Sequence, residues 1–367
     1  MRYVEEFRSK NLIKRLARKI EISAPRQPVN IMEVCGTHTH NFFRFGLDKI
    51  LPAGIKLVSG PGCPVCVSTQ EYIDKSIAYA RRRDLIIATF GDMLRVPGTE
   101  STLEKERSSG ASIFTVYSPL DALRLALANP SRKVVFLAVG FETTAPAVAL
   151  TVLAARREGI RNIFFFTSLK LIPPAMDYIL RDRRVKVNGF LCPGHVSCII
   201  GTKSYAFIPK RYKIGCCVAG FEPLDILTGI YFLLQQINRK RPQVANQYLR
   251  AVTASGNARA QRITREAFSV YDASWRGFGD ISGSGLILKK SLRRFDAGDE
   301  LPLKIKLRTS PAGKEGCRCA DVLKGLIQPP QCRLFRRSCT PQTPLGGCMV
   351  SAEGACHAYF RYRQSEF

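Results

Sequence analysis

Acidic side chains are the first scarcity in this 367-residue chain: 29 Asp and Glu stand against 56 Lys and Arg, a formal charge of +27. A field of that sign attracts nucleic acid, an anionic membrane or an acidic protein. Aromatic residues, however, are not interleaved with the basic clusters Lys14, Arg15, Arg18, Lys19 or Arg81 to Arg83. That absence argues against an RNA-binding sheet and makes the charge a solvated face or a complement to an acidic partner. No apolar core follows Arg2 and Arg8, so no secretory leader is expected and the chain is expected in the cytoplasm. The longest apolar segment, Val134 to Ala155, is broken by Gly140, Glu142 and Pro146. It therefore reads as strand, loop and helix, not as a membrane span. No Gly-x-Gly-x-x-Gly follows an apolar run, so a dinucleotide fingerprint is absent.

What is present fits a folded α/β protein: 46% hydrophobic residues and 28 glycines, in a length sufficient for two or three domains. Thirteen cysteines in a chain expected in the cytoplasm point to metal or redox chemistry over a structural disulfide framework.

Residues 1 to about 22 read as a basic amphipathic helix with Leu12, Leu16 and Ile20 on one stripe, ended by Pro25 and Pro28. Short apolar runs then recur: Leu57-Val58, Leu85 to Phe90, Val134 to Val139, Ile163 to Phe166, Phe190-Leu191 and Cys216 to Ala219. Each is followed by a glycine-bearing loop and a helical pattern, which implies parallel sheets. Ligands of such sheets bind beyond the carboxyl ends of the strands, where these loops lie. Gly140-Phe141-Glu142 is echoed by Gly220-Phe221-Glu222, a faint sign of two related halves. Tyr231 to Arg265 reads as helix interrupted near Ser255-Gly256, and the last fifty residues are rich in Cys, Pro and Gly. The expected segments are 1–28, a basic helix; 29–118 and 119–228, two similar parallel-sheet α/β domains; and 229–367, a mixed, Cys-rich domain.

Three clusters carry chemistry. Cys35-Gly36-Thr37-His38-Thr39-His40 places a thiol and two of the four histidines within six residues. These are ligands for soft and borderline metals, and Gly36 leaves room for an atom to approach the sulfur. Gly60-Pro61-Gly62-Cys63-Pro64-Val65-Cys66 holds a Cys-x-x-Cys pair able to close a disulfide or hold a metal. Ser68-Thr69-Gln70-Glu71 offers a capping-box helix start just downstream. A thiol beside a helix N-terminus is more acidic and a better nucleophile. Cys332, Cys339, Cys348 and Cys356 follow at intervals of six, eight and seven residues, with Cys317 and Cys319 just before them. Four thiolates suit zinc or an iron–sulfur cluster, and the wide spacing in a loop-rich segment leans to the cluster. His195, flanked by Cys192 and Cys198, and the loop residues Glu142 and Glu222 add single polar groups; for a lone Glu in such a loop a cap or a turn contact is the commoner role.

These motifs resemble those of the HypD family of hydrogenase maturation factors. The resemblance rests on the first two cysteine motifs, on Phe90 to Gly98, Gly140 to Pro146, Pro193 to Ser197, Ala219 to Leu227 and Trp275 to Gly279, and on the terminal cysteines. It runs in order from about residue 30 to 362 and implies two similar α/β domains and a C-terminal [4Fe–4S] domain. The implied role is a scaffold, closer to an assembly factor than to a turnover enzyme. With the small chaperone HypC, such a scaffold equips iron with cyanide and carbonyl. Cyanide comes from the HypE–HypF pair, and the Fe(CN)2CO unit passes to the [NiFe] hydrogenase large subunit. The resemblance makes Cys35 the thiolate holding the iron with His38 close by, and Cys63 and Cys66 a redox dithiol. It makes Cys332, Cys339, Cys348 and Cys356 the cluster ligands, with Cys317 or Cys319 not excluded. Cys192, Cys198, Cys216 and Cys217 stand outside the pattern. The competing readings are an iron–sulfur thiol–disulfide oxidoreductase acting on protein disulfides, and a basic nucleic-acid-binding protein with structural zinc.

Overall fold

Alternate residues along the strands point into different cores, and that period of two builds the molecule in layers. The structure, a computed structural model, describes residues 4–303 and 316–363. Residues 1–3, 304–315 and 364–367 of the expected terminal segments lie outside the described residues. The strands are β1 Val29–Glu33, β2 Ile55–Ser59, β3 Leu85–Thr89, β4 Ile113–Thr115, β5 Lys133–Gly140 and β6 Ile163–Lys170. They continue as β7 Gly189–Pro193, β8 Gly215–Ala219, β9 Val244–Asn246, β10 Phe268–Trp275 and β11 Gly279–Leu288. Five form a parallel sheet in the order β2-β1-β7-β8-β9. Six form a mixed sheet, β10-β11-β6-β5-β3-β4, in which only β10 and β11 run antiparallel to their neighbours.

On β5, Val135, Leu137 and Val139 enter one core, which they share with Met32, Phe190, Cys216 and Val218 of the parallel sheet. Val134, Phe136 and Ala138 enter a second core on the other face of the mixed sheet. On β8, Cys217 and Ala219 enter a third core with Val29, Ile31, Ile55 and Leu57. Strands buried on both faces read as continuous apolar runs, which is why all six runs in the sequence became strands.

The fold is thus α/β, with two similar sheets and a Cys-rich C-terminal region. In each sheet four parallel strands lie in the spatial order second, first, third, fourth: β2-β1-β7-β8 and β4-β3-β5-β6. The Gly-Phe-Glu triplets do not mark this relation, since one follows the third strand of its set and the other the fourth. Sheet membership also ignores sequence order. β1 and β2 are joined by strands from residue 189 onward, so the parallel sheet draws from both sides of residue 118. β10 and β11, from beyond residue 228, complete the mixed sheet.

Two expectations are corrected. The N-terminal helix α1 spans Lys10–Ile22, but Leu12 is 45% exposed, and the face on the core is Ile13, Leu16 and Ile20, one turn apart. The helical reading of Tyr231 to Arg265 is split: one helix ends at Asn238, β9 intervenes, and Asn257 caps a second helix, Ala258–Ala267. Among the described residues no helix is long and apolar enough to cross a membrane.

Candidate functional site

The carboxyl ends of β1 and β2 bring the first two cysteine motifs together. Cys35, extended and buried, is the N-cap of α2, Gly36–Arg44. Cys63 is the N-cap of the short helix α3, Pro64–Val67, and is disulfide-bonded to Cys66, with their Cα atoms 5.3 Å apart. The Gly36 amide donates to Gly62 O at 3.1 Å. A Cβ at Gly62 would stand 2.2 Å from the Cys35 nitrogen, so only glycine lets the two thiol loops touch. Thr69 alone caps the following helix α4, Gln70–Ala80, by accepting from the Tyr72 amide, while Ser68 donates to Pro64 O. The expected capping box is therefore a single cap.

Electrostatics around Cys35 run against a ready thiolate. Burial, then the Glu353 and Glu33 carboxylates, push its thiol up to about 12, outweighing the His38 amide and the Thr37 hydroxyl. Glu33 is itself buried and pushed up to about 8, chiefly by desolvation. Its carboxylate accepts from the Cys35 amide at 2.9 Å and from the Thr39 hydroxyl. Glu353 accepts from the Thr37 hydroxyl at 2.6 Å, and its backbone fills the space beside Gly36: a Cβ there would lie 2.5 Å from Glu353 O. The glycine therefore admits Glu353, not an atom approaching the sulfur.

His38 is fully buried, with Nε2 at 2.9 Å from Gly220 O and 3.2 Å from Ala219 O. Nε2 must carry the proton, so Nδ1 offers a lone pair, and it is buried with no hydrogen-bond partner. Desolvation lowers this imidazole to about 4, which keeps it neutral. In this tautomer His38 accepts or ligates through Nδ1 and has no proton left to donate. His40, at the other end of the motif, reaches Ala352 O and the Tyr362 hydroxyl, tying α2 to the C-terminal region. The two glutamates take capping roles: Glu142 accepts from Ile172 at the start of helix Ile172–Arg181, and Glu222 caps helix Pro223–Asn238 and pairs with Arg8.

The third cluster gathers six sulfurs, those of Cys317, Cys319, Cys332, Cys339, Cys348 and Cys356, around one cavity. Cys348 does not join the four expected ligands there, because it is bonded to Cys319. The free thiols are Cys317, Cys332, Cys339 and Cys356. Burial raises Cys356 well above its ordinary range, and Cys317, Cys339 and Cys332 raise it further. Negative charge on the Cys317, Cys339 and Cys356 sulfurs is thus unfavourable unless a cation is shared among them. Among the described residues no three His, Cys, Asp or Glu side chains are arranged to hold a single metal ion. Four free thiols lining one cavity are a donor set of the soft kind that thiophilic metals take. Cys317 lacked a sequence signal separating it from Cys319; only the disulfide distinguishes the two.

The clusters adjoin one another. A Cβ on Gly347, next to Cys348, would stand 3.1 Å from the Cys66 Cα, so the backbone that carries Cys348 packs against the one that carries Cys66. Arg276, half-buried, donates to Gln70, and its amide donates to Val67 O at 2.9 Å. Arg95 and Asp92, from the loop after β3, bind Val350 O and the Ser351 hydroxyl. The sequence marked these loops as motifs but not as braces for the C-terminal cysteines.

The profile of the HypD family, described as "Hydrogenase formation hypA family", matches residues 11–363. The hydrogenase maturation factor HypD2 of Bradyrhizobium diazoefficiens is 42% identical over 99% of this chain and 97% of its own. HypD of Azotobacter vinelandii is 42% identical over the same shares. HypD of Escherichia coli K12 is 42% identical over 100% of this chain and 99% of its own.

Proposed function

The chain belongs to the HypD family, and from that premise we propose that it is a hydrogenase maturation scaffold on which iron acquires cyanide and carbonyl. Its partners in this reading are a HypC-type chaperone, a HypE–HypF pair as cyanide donor, and the [NiFe] hydrogenase large subunit as recipient. The observation that carries the reading is the junction of Cys35 with the Cys63–Cys66 pair through Gly62. One loop pair holds a soft ligand for the cargo iron and, beside it, a two-electron dithiol couple.

Low-spin iron bearing cyanide and carbonyl takes a soft anionic protein ligand, which the Cys35 thiolate supplies. Because burial holds the proton on this thiol, iron binding must expel it, and affinity should rise with pH. His38 Nδ1 is the adjacent lone pair, available as a second ligand or as an acceptor. A [4Fe–4S] cluster would be held by Cys317, Cys332, Cys339 and Cys356, and when bound it supplies one-electron redox chemistry.

The test is anaerobic purification with the HypC-type partner, followed by infrared spectroscopy. Cyanide and carbonyl bands on iron are expected, and their absence from the complex would overturn the proposal. A second reading, an iron–sulfur thiol–disulfide oxidoreductase, is favoured by two disulfides, Cys319–Cys348 and Cys63–Cys66, on backbone segments that pack together at Gly347 and Cys66. It assigns no work to Cys35, so full activity in Cys35→Ala would select it.

A further inference from the structure

We propose that His195 faces the substrate of this site, its imidazole N–H donating a hydrogen bond to a ligand on the iron held at Cys35. The inference deepens the scaffold reading and rests on it.

The topology places the residue. In the parallel sheet β1 leads to β2 on one side, while β7 lies on the other, so the strand order reverses between β1 and β7. Open parallel sheets bind ligands in the crevice beyond such a reversal. Cys35 is two residues past the end of β1, and His195 is two past the end of β7. The strands are held in register there, with the Val34 amide donating to Leu191 O.

The chemistry distinguishes His195 from the other histidines. Among the described residues His38, His40 and His357 all spend ring nitrogens on protein oxygens, whereas no hydrogen bond engages either nitrogen of His195. Its side chain is exposed where Cys35 and His38 are buried. Its orientation is nevertheless fixed. The ring stacks on Phe221 with centroids 4.1 Å apart, and Phe221 also lies 4.9 Å from His38. A Cβ at Gly194 would meet the Phe221 ring at 3.0 Å, and Asn41 of α2 donates to Phe221 O. Phe221 thus spaces the two imidazoles, one sealed behind the site and one open to it. An oriented donor with no protein acceptor suits iron-bound cyanide, whose outer nitrogen is an anionic acceptor.

Two substitutions separate donation from stacking. His195→Phe keeps an aromatic ring on Phe221 and removes the N–H; His195→Gln restores an N–H without the ring. Each variant is purified anaerobically with the HypC-type partner and examined by infrared spectroscopy. In His195→Phe the cyanide bands should persist, because Cys35 still holds the iron, but at positions shifted from the unsubstituted protein. His195→Gln should move them back. Bands at unshifted positions in His195→Phe would overturn the role of His195 alone. Absence of bands from the unsubstituted complex would overturn the scaffold reading and this inference with it. Acylation by diethyl pyrocarbonate, read by mass spectrometry, gives an independent measure. His195 should be the fastest-reacting histidine of the iron-free protein and should be protected in the loaded complex; unchanged reactivity on loading contradicts the proposal.

Discussion

Cys348 is bonded to Cys319, with Cα atoms 6.3 Å apart, and this bond decides which four thiols are left to share the C-terminal cavity. If Cys317, Cys332, Cys339 and Cys356 hold an iron–sulfur cluster, Cys317→Ala should bleach its visible absorption and lose most of its iron. Cys348→Ala should keep both. Iron analysis on protein never exposed to air checks this, and the opposite pattern would return Cys348 to the ligand set.

Gly62 and Cys35 touch through backbone atoms that cannot swing aside. Gly62→Ala would place its Cβ within 2.4 Å of three backbone atoms of Val34 and Cys35. Overpacking of this kind costs about 3 kcal/mol or more when only backbone can yield. Gly54, with nothing within 4 Å of its added Cβ, is the control, and Gly54→Ala should change stability by less than about 1 kcal/mol. Denaturant titration of both variants measures the difference, and equal midpoints would show that the two loops do not meet.

Acidification should act through His38. Burial lowers its imidazole from 6.5 to about 4, so between these values the unfolded chain binds a proton that the folded chain refuses. The histidine's contribution to stability therefore rises with pH across that window, by about 3 kcal/mol in total, and is flat above it. Glu33 acts oppositely. Its carboxyl is raised from 4.5 to about 8, so the folded state keeps a proton the unfolded state has lost, and stability falls as pH rises through that range. Subtracting the stability profile of His38→Gln from that of the unsubstituted protein isolates the histidine. A flat difference between pH 4 and 6.5 would mean that His38 is hydrated.

Cys35→Ser tests the anchor of the proposed function. A hydroxyl at neutral pH is neutral and hard, so iron should be lost from this position. The fold should survive, because the substitution changes little volume at a helix cap. Soluble protein with an intact iron–sulfur absorption and no cyanide or carbonyl bands is expected. Normal bands in this variant would place the iron elsewhere.

Mass spectrometry after mild oxidation should find Cys63 joined to Cys66, matching their pairing here. Two thiols that resist alkylation after reduction of the folded protein would assign them to packing.

Much of the fold was legible because strands buried on both faces must be continuously apolar, and glycine must follow where backbones approach closely. The apolar runs became β2, β3, β5, β6, β7 and β8, and the motif loops fell at their carboxyl ends. In the N-terminal stripe Leu16 and Ile20 face the core as their spacing predicts, but Ile13 takes the place of Leu12, since the two are equally apolar and only the packing against the third core selects between them. β9 was hidden in a helical pattern because a three-residue strand leaves no periodicity to detect.

The sequence by itself determined the chemical inventory: the α/β class, the family, and the thiols and imidazoles with their local spacing. Local spacing follows from covalent connection and needs no fold to be read. Tertiary structure alone decided which strands share a sheet, that Cys319 and not Cys317 bonds Cys348, and that Glu353 occupies the space beside Gly36. It also decided that His38 is sealed while His195 stays open. Each of these is a contact between residues far apart in the chain. Their partners are chosen by which surfaces the packed sheets bring within a few ångströms, and composition and periodicity carry no record of that choice.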